Sequence, residues 1–171
     1  MQESRSYRIG MLSTYAPTLC GLATFSAALR RALVRMGHVV DVFRVDDGSG
    51  PPTLASEITG VLLNGSSASV RRTAAALSHY DAAVIQHEYG IFGGPDGDEV
   101  LSVLCDLDAP AVVVLHTVPQ HPSGQQAEIL IELCERAAAI VVLSDSARDR
   151  LVRTYFPIDE QTLAYLRFTG R

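Results

Sequence analysis

DAAVIQHEYGIFGGPDGDEVLSVLCDLDAPAVVVLH, residues 81–116, is the stretch whose reading decides the fold. It opens with DAAVIQ (81–86) and closes with PAVVVLH (110–116). Neither run alternates apolar with polar residues, so neither reads as a strand with one wet face. Strands that are apolar on both sides belong to parallel sheets sandwiched between helices. Between the runs, about 97–107, the spacing predicts a helix, which is the crossover that parallel pairing requires. The unit is therefore β-α-β.

The same alternation continues in both directions. Downstream, a helix near 125–137 leads to the strand AAIVVLS (138–144), and Ser144 caps a further helix from Asp145 to about Tyr155. Upstream, YRIGML (7–12) reads as the first strand. From Phe25, apolar residues recur at Ala28, Leu29, Ala32, Leu33 and Met36, one buried helix face. Arg30, Arg31 and Arg35 fall on the other side, and Gly37 supplies the stop. HVVDVFRV (38–45) is a second strand, DDGSGPP (46–52) a loop, GVLLNG (60–65) a short strand and 70–78 a helix. The fold class expected is α/β: a Rossmann-like, doubly wound, mostly parallel sheet with helices on both faces.

A chain of 171 residues with 47% hydrophobic and 19% charged residues has one domain's worth of core and little room for disorder. Its net charge is −5, and all 14 basic residues are Arg. The acidic balance and the lack of a basic run speak against a nucleic-acid surface or an anionic-membrane patch. Cys20, Cys105 and Cys134 are odd in number and far apart, neither a disulfide framework nor a metal-binding pair. They read as core or near-core residues in a reducing, cytoplasmic setting. No signal peptide and no integral membrane segment are expected.

In sheets of this kind ligands bind beyond the carboxyl ends of the strands. The informative loops are STYAPTLCGLAT (13–24), HEYGIFGGPDGDE (87–99), TVPQHPSG (117–124) and DSARDR (145–150). The first lacks the GxGxxG that a dinucleotide needs, so an NAD site and a dehydrogenase are disfavoured. Its amides near 21–24 open a helix and are able to meet an anionic group, although an ordinary strand–helix connection accounts for them equally. The glycines at 90–97 resemble a phosphate cradle, but Asp96, Asp98 and Glu99 in the first turn of the coming helix would repel a phosphate. That loop suits close backbone packing or hydrogen bonding to hydroxyls.

His87 and Glu88 are neighbours at a strand end, so their side chains diverge and form no local acid–base pair. HExxH, GxSxG and GxxxxGK[ST] are all absent, which removes zinc-protease, α/β-hydrolase and P-loop readings. Three edge histidines, His87, His116 and His121, have no metal-ligand spacing. Tyr89 and Phe92 are expected to pack inward. His116 ends an apolar run where a strand meets solvent, and reads either as a functional group or as a histidine bonded to a neighbouring loop.

Taken together and in order, STYAPTLCGLATFSAALRRAL, VIQHEYGIFGGPDGDEVL, VVLHTV and IVVLSDSARDRL resemble the N-terminal half of bacterial family 4 glycosyltransferases of GT-B architecture. The resemblance covers residues 7–158. It implies two Rossmann-like domains across a cleft and retaining transfer from a nucleotide-sugar donor, a co-substrate, with no tightly bound cofactor and no metal. It further implies that Cys20, Gly21, Leu22, Ala23 and Thr24 approach the donor diphosphate, that His116 is the catalytic cleft histidine contacting the transferred sugar, and that His87, Glu88 and Gly90 face a glycan or other hydroxylated acceptor. The family pattern continues through Pro-His-Gly into a donor-binding domain, whereas this sequence reads PIDEQTLAYLRFTGR (157–171). The expectation is a domain at 1–158, an atypical truncated tail at 159–171, and little activity without the missing C-terminal Rossmann domain. A non-catalytic Rossmann-like binding or regulatory module is the alternative.

Overall fold

The computed structural model describes residues 5–49 and 56–155. The expected tail at 159–171, the end of the expected domain and part of the loop at 46–52 lie outside them. Six strands are present among the described residues: β1 (Arg8–Ser13), β2 (Val39–Asp46), β3 (Ile58–Leu63), β4 (Ala82–His87), β5 (Ala111–Leu115) and β6 (Ala139–Val142). All pair in parallel, in the order β3-β2-β1-β4-β5-β6. The helices are α1 (Gly21–Arg35), α2 (Ser67–Leu77), α3 (Glu99–Cys105), α4 (Gly124–Arg136) and α5 (Asp145–Arg150), the last running into a π turn at Leu151–Tyr155. The strand order reverses between β1 and β4. In a doubly wound sheet that reversal opens the crevice in which ligands sit.

The two sheet faces are unequal. Leu12, Phe43, Val45, Ala83, Ile85, Val113, Leu115, Ile140 and Val142 point into the larger core with residues of α2, α3 and α4. On the opposite face Ile9, Met11 and Val40 pack under Leu29 and Leu33 of α1. The expected stripe on α1 is shifted: Ala23 and Ser26 are buried, while Ala28 and Met36 are exposed. The helix begins four residues before Phe25, and its buried line runs through Ala23, Ser26, Leu29 and Leu33. Arg30 is not a free surface charge either, because its Nε donates to the Val40 carbonyl at 3.0 Å. Gly37 ends the helix with φ +92°, the left-handed conformation that favours glycine.

Several ends were expected one to three residues away from where they lie. Helix α3 starts at Glu99, after a separate 3-10 turn at Pro95–Gly97 in which Asp96 has φ 49°. Asp96 and Asp98 therefore do not form the first turn of that helix. Cys105 is exposed, contrary to the core reading, whereas burial pushes the Cys134 thiol up to about 12. Ser144 caps α5 by accepting from the Ala147 amide at 3.1 Å.

Candidate functional site

At the reversal point the loops after β1 and β4 meet the ends of β2 and β3 around an open cavity of about 580 Å³. Thr14, Cys20, Arg44, Asp46, Asn64 and Gly90 supply its polar wall. Cys20 is the N-cap of α1: its Sγ accepts from the Ala23 amide at 3.3 Å and lies 3.4 Å from Thr14 Oγ1. The Thr24 amide bonds the Cys20 carbonyl at 3.2 Å. Gly21 and Leu22 thus carry the amides at this helix start that have no acceptor within the helix.

Arg44 and Asn64 are functional candidates the sequence reading missed. Arg44 is 3% exposed, its Nη2 is paired with Asp46 Oδ2, and its Nε is buried without a partner. Asn64 donates from Nδ2 to the Ile91 carbonyl at 2.9 Å, and its own Oδ1 is buried and unpartnered. A buried donor and a buried acceptor without partners are costly to the fold, and the two side chains that carry them both line the cavity. Asp47 adds a carboxyl held below its ordinary range by hydrogen bonds from the Ser49 hydroxyl and amide.

The glycine-rich loop after β4 is stapled by its acids. Asp96 accepts from Ser123 Oγ at 3.2 Å and Gln126 Nε2 at 3.3 Å, which places its charge over the start of α4. Ser123 and Gln126 themselves form a reciprocal capping box there. Glu99 Oε1 accepts from the Gly65 amide at 2.9 Å. A Cβ on Gly93 would lie 2.9 Å from that same amide nitrogen, so the backbones approach as closely as only glycine allows.

The residues expected to share a function are separated by β4. His87 is fully buried in the larger core, edge-on to Tyr89 at 5.0 Å and stacked at 6.5 Å from Phe92. Neither ring nitrogen has a hydrogen-bond partner, and burial first, then His116, lowers its pKa to about 4. Phe92 is buried and Tyr89 half-buried, so both pack inward. Glu88 turns away, accepting from Thr117 Oγ1 at 2.5 Å and from the Tyr89 amide at 3.1 Å. Gly90 reaches the cavity wall.

His116 sits on the α1 face. Its Nε2 is 2.7 Å from Gln86 Oε1, and Phe25 meets its ring edge-on at 4.8 Å. Burial lowers its pKa, and Glu88 opposes that shift. The ring is therefore neutral near pH 7. His121 is exposed, and among the described residues no three His, Cys, Asp or Glu side chains gather as a metal-binding group. No helix of the described residues is long and apolar enough to cross a membrane.

The sequence matches the family model described as Glycosyltransferase Family 4 over residues 20–164. No curated protein matches it. Among solved structures, it is similar to an alpha-glucosyltransferase in complex with UDP (TM-score 0.63, 16% identity, 96% of this chain and 43% of that one). It is likewise similar to an alpha-glucosyltransferase in complex with UDP-glucose and DNA containing an abasic site (TM-score 0.61, 20% identity, 91% and 41%). A third match is an alpha-glucosyltransferase bound to UDP and a 13-mer DNA containing a HMU base (TM-score 0.64, 17% identity, 96% and 42%). At these identities the likeness is one of fold, and the chain spans about two fifths of each of those proteins. The chain belongs to glycosyltransferase family 4, and its Rossmann-like sheet is the N-terminal half of the two-domain GT-B architecture.

Proposed function

We propose that this domain is the acceptor side of a retaining glycosyltransferase. A nucleotide-sugar donor, held mainly by a second Rossmann-like domain, gives its sugar to a hydroxyl of an acceptor lodged at the carboxyl edge of β1–β4. The observation that carries this reading is the cavity at the strand-order reversal, lined by Arg44, Asn64 and Gly90, where Arg44 and Asn64 each keep one buried polar atom without a partner. That wall has one arginine against Asp46 and Asp47, a balance that favours a neutral polyhydroxyl acceptor over a phosphate or a nucleic acid. The Gly21 and Leu22 amides at the start of α1 supply donors suited to the donor diphosphate. His116, neutral and partly open, offers a hydrogen bond to the transferred sugar. A cytoplasmic setting, where nucleotide sugars and free thiols coexist, belongs to the same proposal.

Two measurements test it. Chemical-shift mapping of this chain against a panel of monosaccharides, disaccharides and polyols should move Thr14, Asn64, Gly90 and Ile91 together. A tight protein partner with no response to any glycan would favour a binding or regulatory module instead. In an active two-domain enzyme, His116→Ala should lower turnover about 10- to 100-fold, the worth of one such hydrogen bond, with little change in melting temperature. The 171-residue chain alone should turn over no nucleotide sugar; robust turnover would overturn the division of labour proposed here.

A further inference from the structure

We infer that Gln86 is a positioning residue: it fixes His116 in the Nε2–H tautomer and leaves Nδ1 as the ring's hydrogen-bond acceptor. The inference rests on the transferase reading only in taking the hydroxyl that Nδ1 would accept from to be a sugar's.

The argument begins with an amide where the fold asks for none. Gln86 is 0% exposed, on the same face of β4 as Val84, and pairs in register with Val114 of β5. A leucine or methionine would fill that position without a polar cost. The Gln86 amide nitrogen is in fact buried with no partner, and a desolvated donor without an acceptor opposes folding.

What the amide does have is His116. Its Oε1 lies 2.7 Å from His116 Nε2, so with the oxygen as acceptor the ring nitrogen must carry the proton. The contact is built into the strands: the His116 amide bonds the His87 carbonyl at 3.0 Å, which continues the β4–β5 ladder to the ring's own residue. Phe25 holds the ring edge-on, at an interplanar angle of 88°. Glu88, the carboxylate whose charge acts on this ring, is occupied by Thr117 and the Tyr89 amide and makes no bond to the imidazole. In a neutral imidazole one nitrogen donates and the other accepts, so holding one bond decides the chemistry of the other. Nδ1 then accepts a hydrogen bond from a hydroxyl and cannot donate to a carbonyl or a diphosphate oxygen.

The test is long-range proton–nitrogen NMR on the full chain, labelled with nitrogen-15, at about pH 9 where histidines are neutral. The wild type should show a directly observed, slowly exchanging Nε2–H of His116 and widely separated nitrogen shifts. Gln86→Leu should lose that proton signal to exchange and draw the two nitrogen shifts together. Gln86→Glu, whose carboxylate also accepts from Nε2–H, should restore the proton signal. A wild-type ring protonated at Nδ1, or a Gln86→Leu spectrum identical to wild type, would overturn the inference. If Gln86→Leu fails to fold, the wild-type and Gln86→Glu spectra still decide it. All these signals are read without any sugar present, so a failed transfer assay counts against the proposed function and leaves this result untouched.

Discussion

His87 makes the stability of the domain depend on pH. Its ring is buried without a partner, and its pKa falls from the ordinary 6.5 to about 4. The unfolded chain therefore takes up this proton near pH 6.5, while the folded chain resists it until about pH 4. Stability from the neutral ring is complete above the unfolded value and is lost as pH falls through that window, by about 3 kcal/mol in total. Urea denaturation at pH 7 and pH 4.5 should show the drop, and His87→Leu should remove the part due to this residue. The burial of this residue was not legible in the sequence, and other residues were no clearer. Arg44 in HVVDVFRV reads as a routine charge in a strand, and only packing shows it on the Val40–Val42 face with an unsatisfied Nε. Gln86 likewise looks like a polar strand end until the neighbouring strand delivers His116. Both signals are contacts between distant positions, which spacing along one segment does not encode.

At the scale of elements, strands were readable because runs of Val, Ile and Leu have one physical use in a soluble parallel sheet. The loops were not, because their acids cap helices other than their own. Asp96 serves α4 rather than α3, a pairing fixed by the tertiary fold. Gly97 is the glycine of that loop pressed most closely against other backbone, with φ +77° and an added Cβ only 2.6 Å from the Tyr89 carbonyl oxygen. Gly97→Ala should therefore destabilise by about 2 kcal/mol or more, combining left-handed strain with a backbone clash, and a lowered urea midpoint would show it. Cys20 offers the opposite experiment. A thiol is a long, weak cap, and Ser is among the preferred N-cap residues. Cys20→Ser should hold or raise the melting temperature, whereas Cys20→Ala should destabilise by less than the ~1 kcal/mol that a strong N-cap contributes.

For the molecule as a whole, the order β3-β2-β1-β4-β5-β6 puts β1 and β4 in the middle, and β3 and β6 at the edges of the described sheet. Met11, Leu12 and Ile85 are 0% exposed, whereas Val61 is 43% exposed. Amide hydrogen exchange should accordingly be slowest in β1 and β4 and faster by orders of magnitude in β3 and β6. Uniform protection across the six strands would contradict this arrangement. The crevice then opens at the carboxyl ends of the buried central strands and reaches out to the end of β3 at one edge.

Because side chains alternate along β4, Gln86 and His87 serve opposite faces: one reaches His116, the other completes the core. Deleting or inserting a single residue upstream in that strand would exchange them. The imidazole would then face its fellow histidine and the amide would enter the hydrocarbon interior, so one slip would harm chemistry and stability together. A change at either residue of this dipeptide is therefore felt on its own face of the sheet.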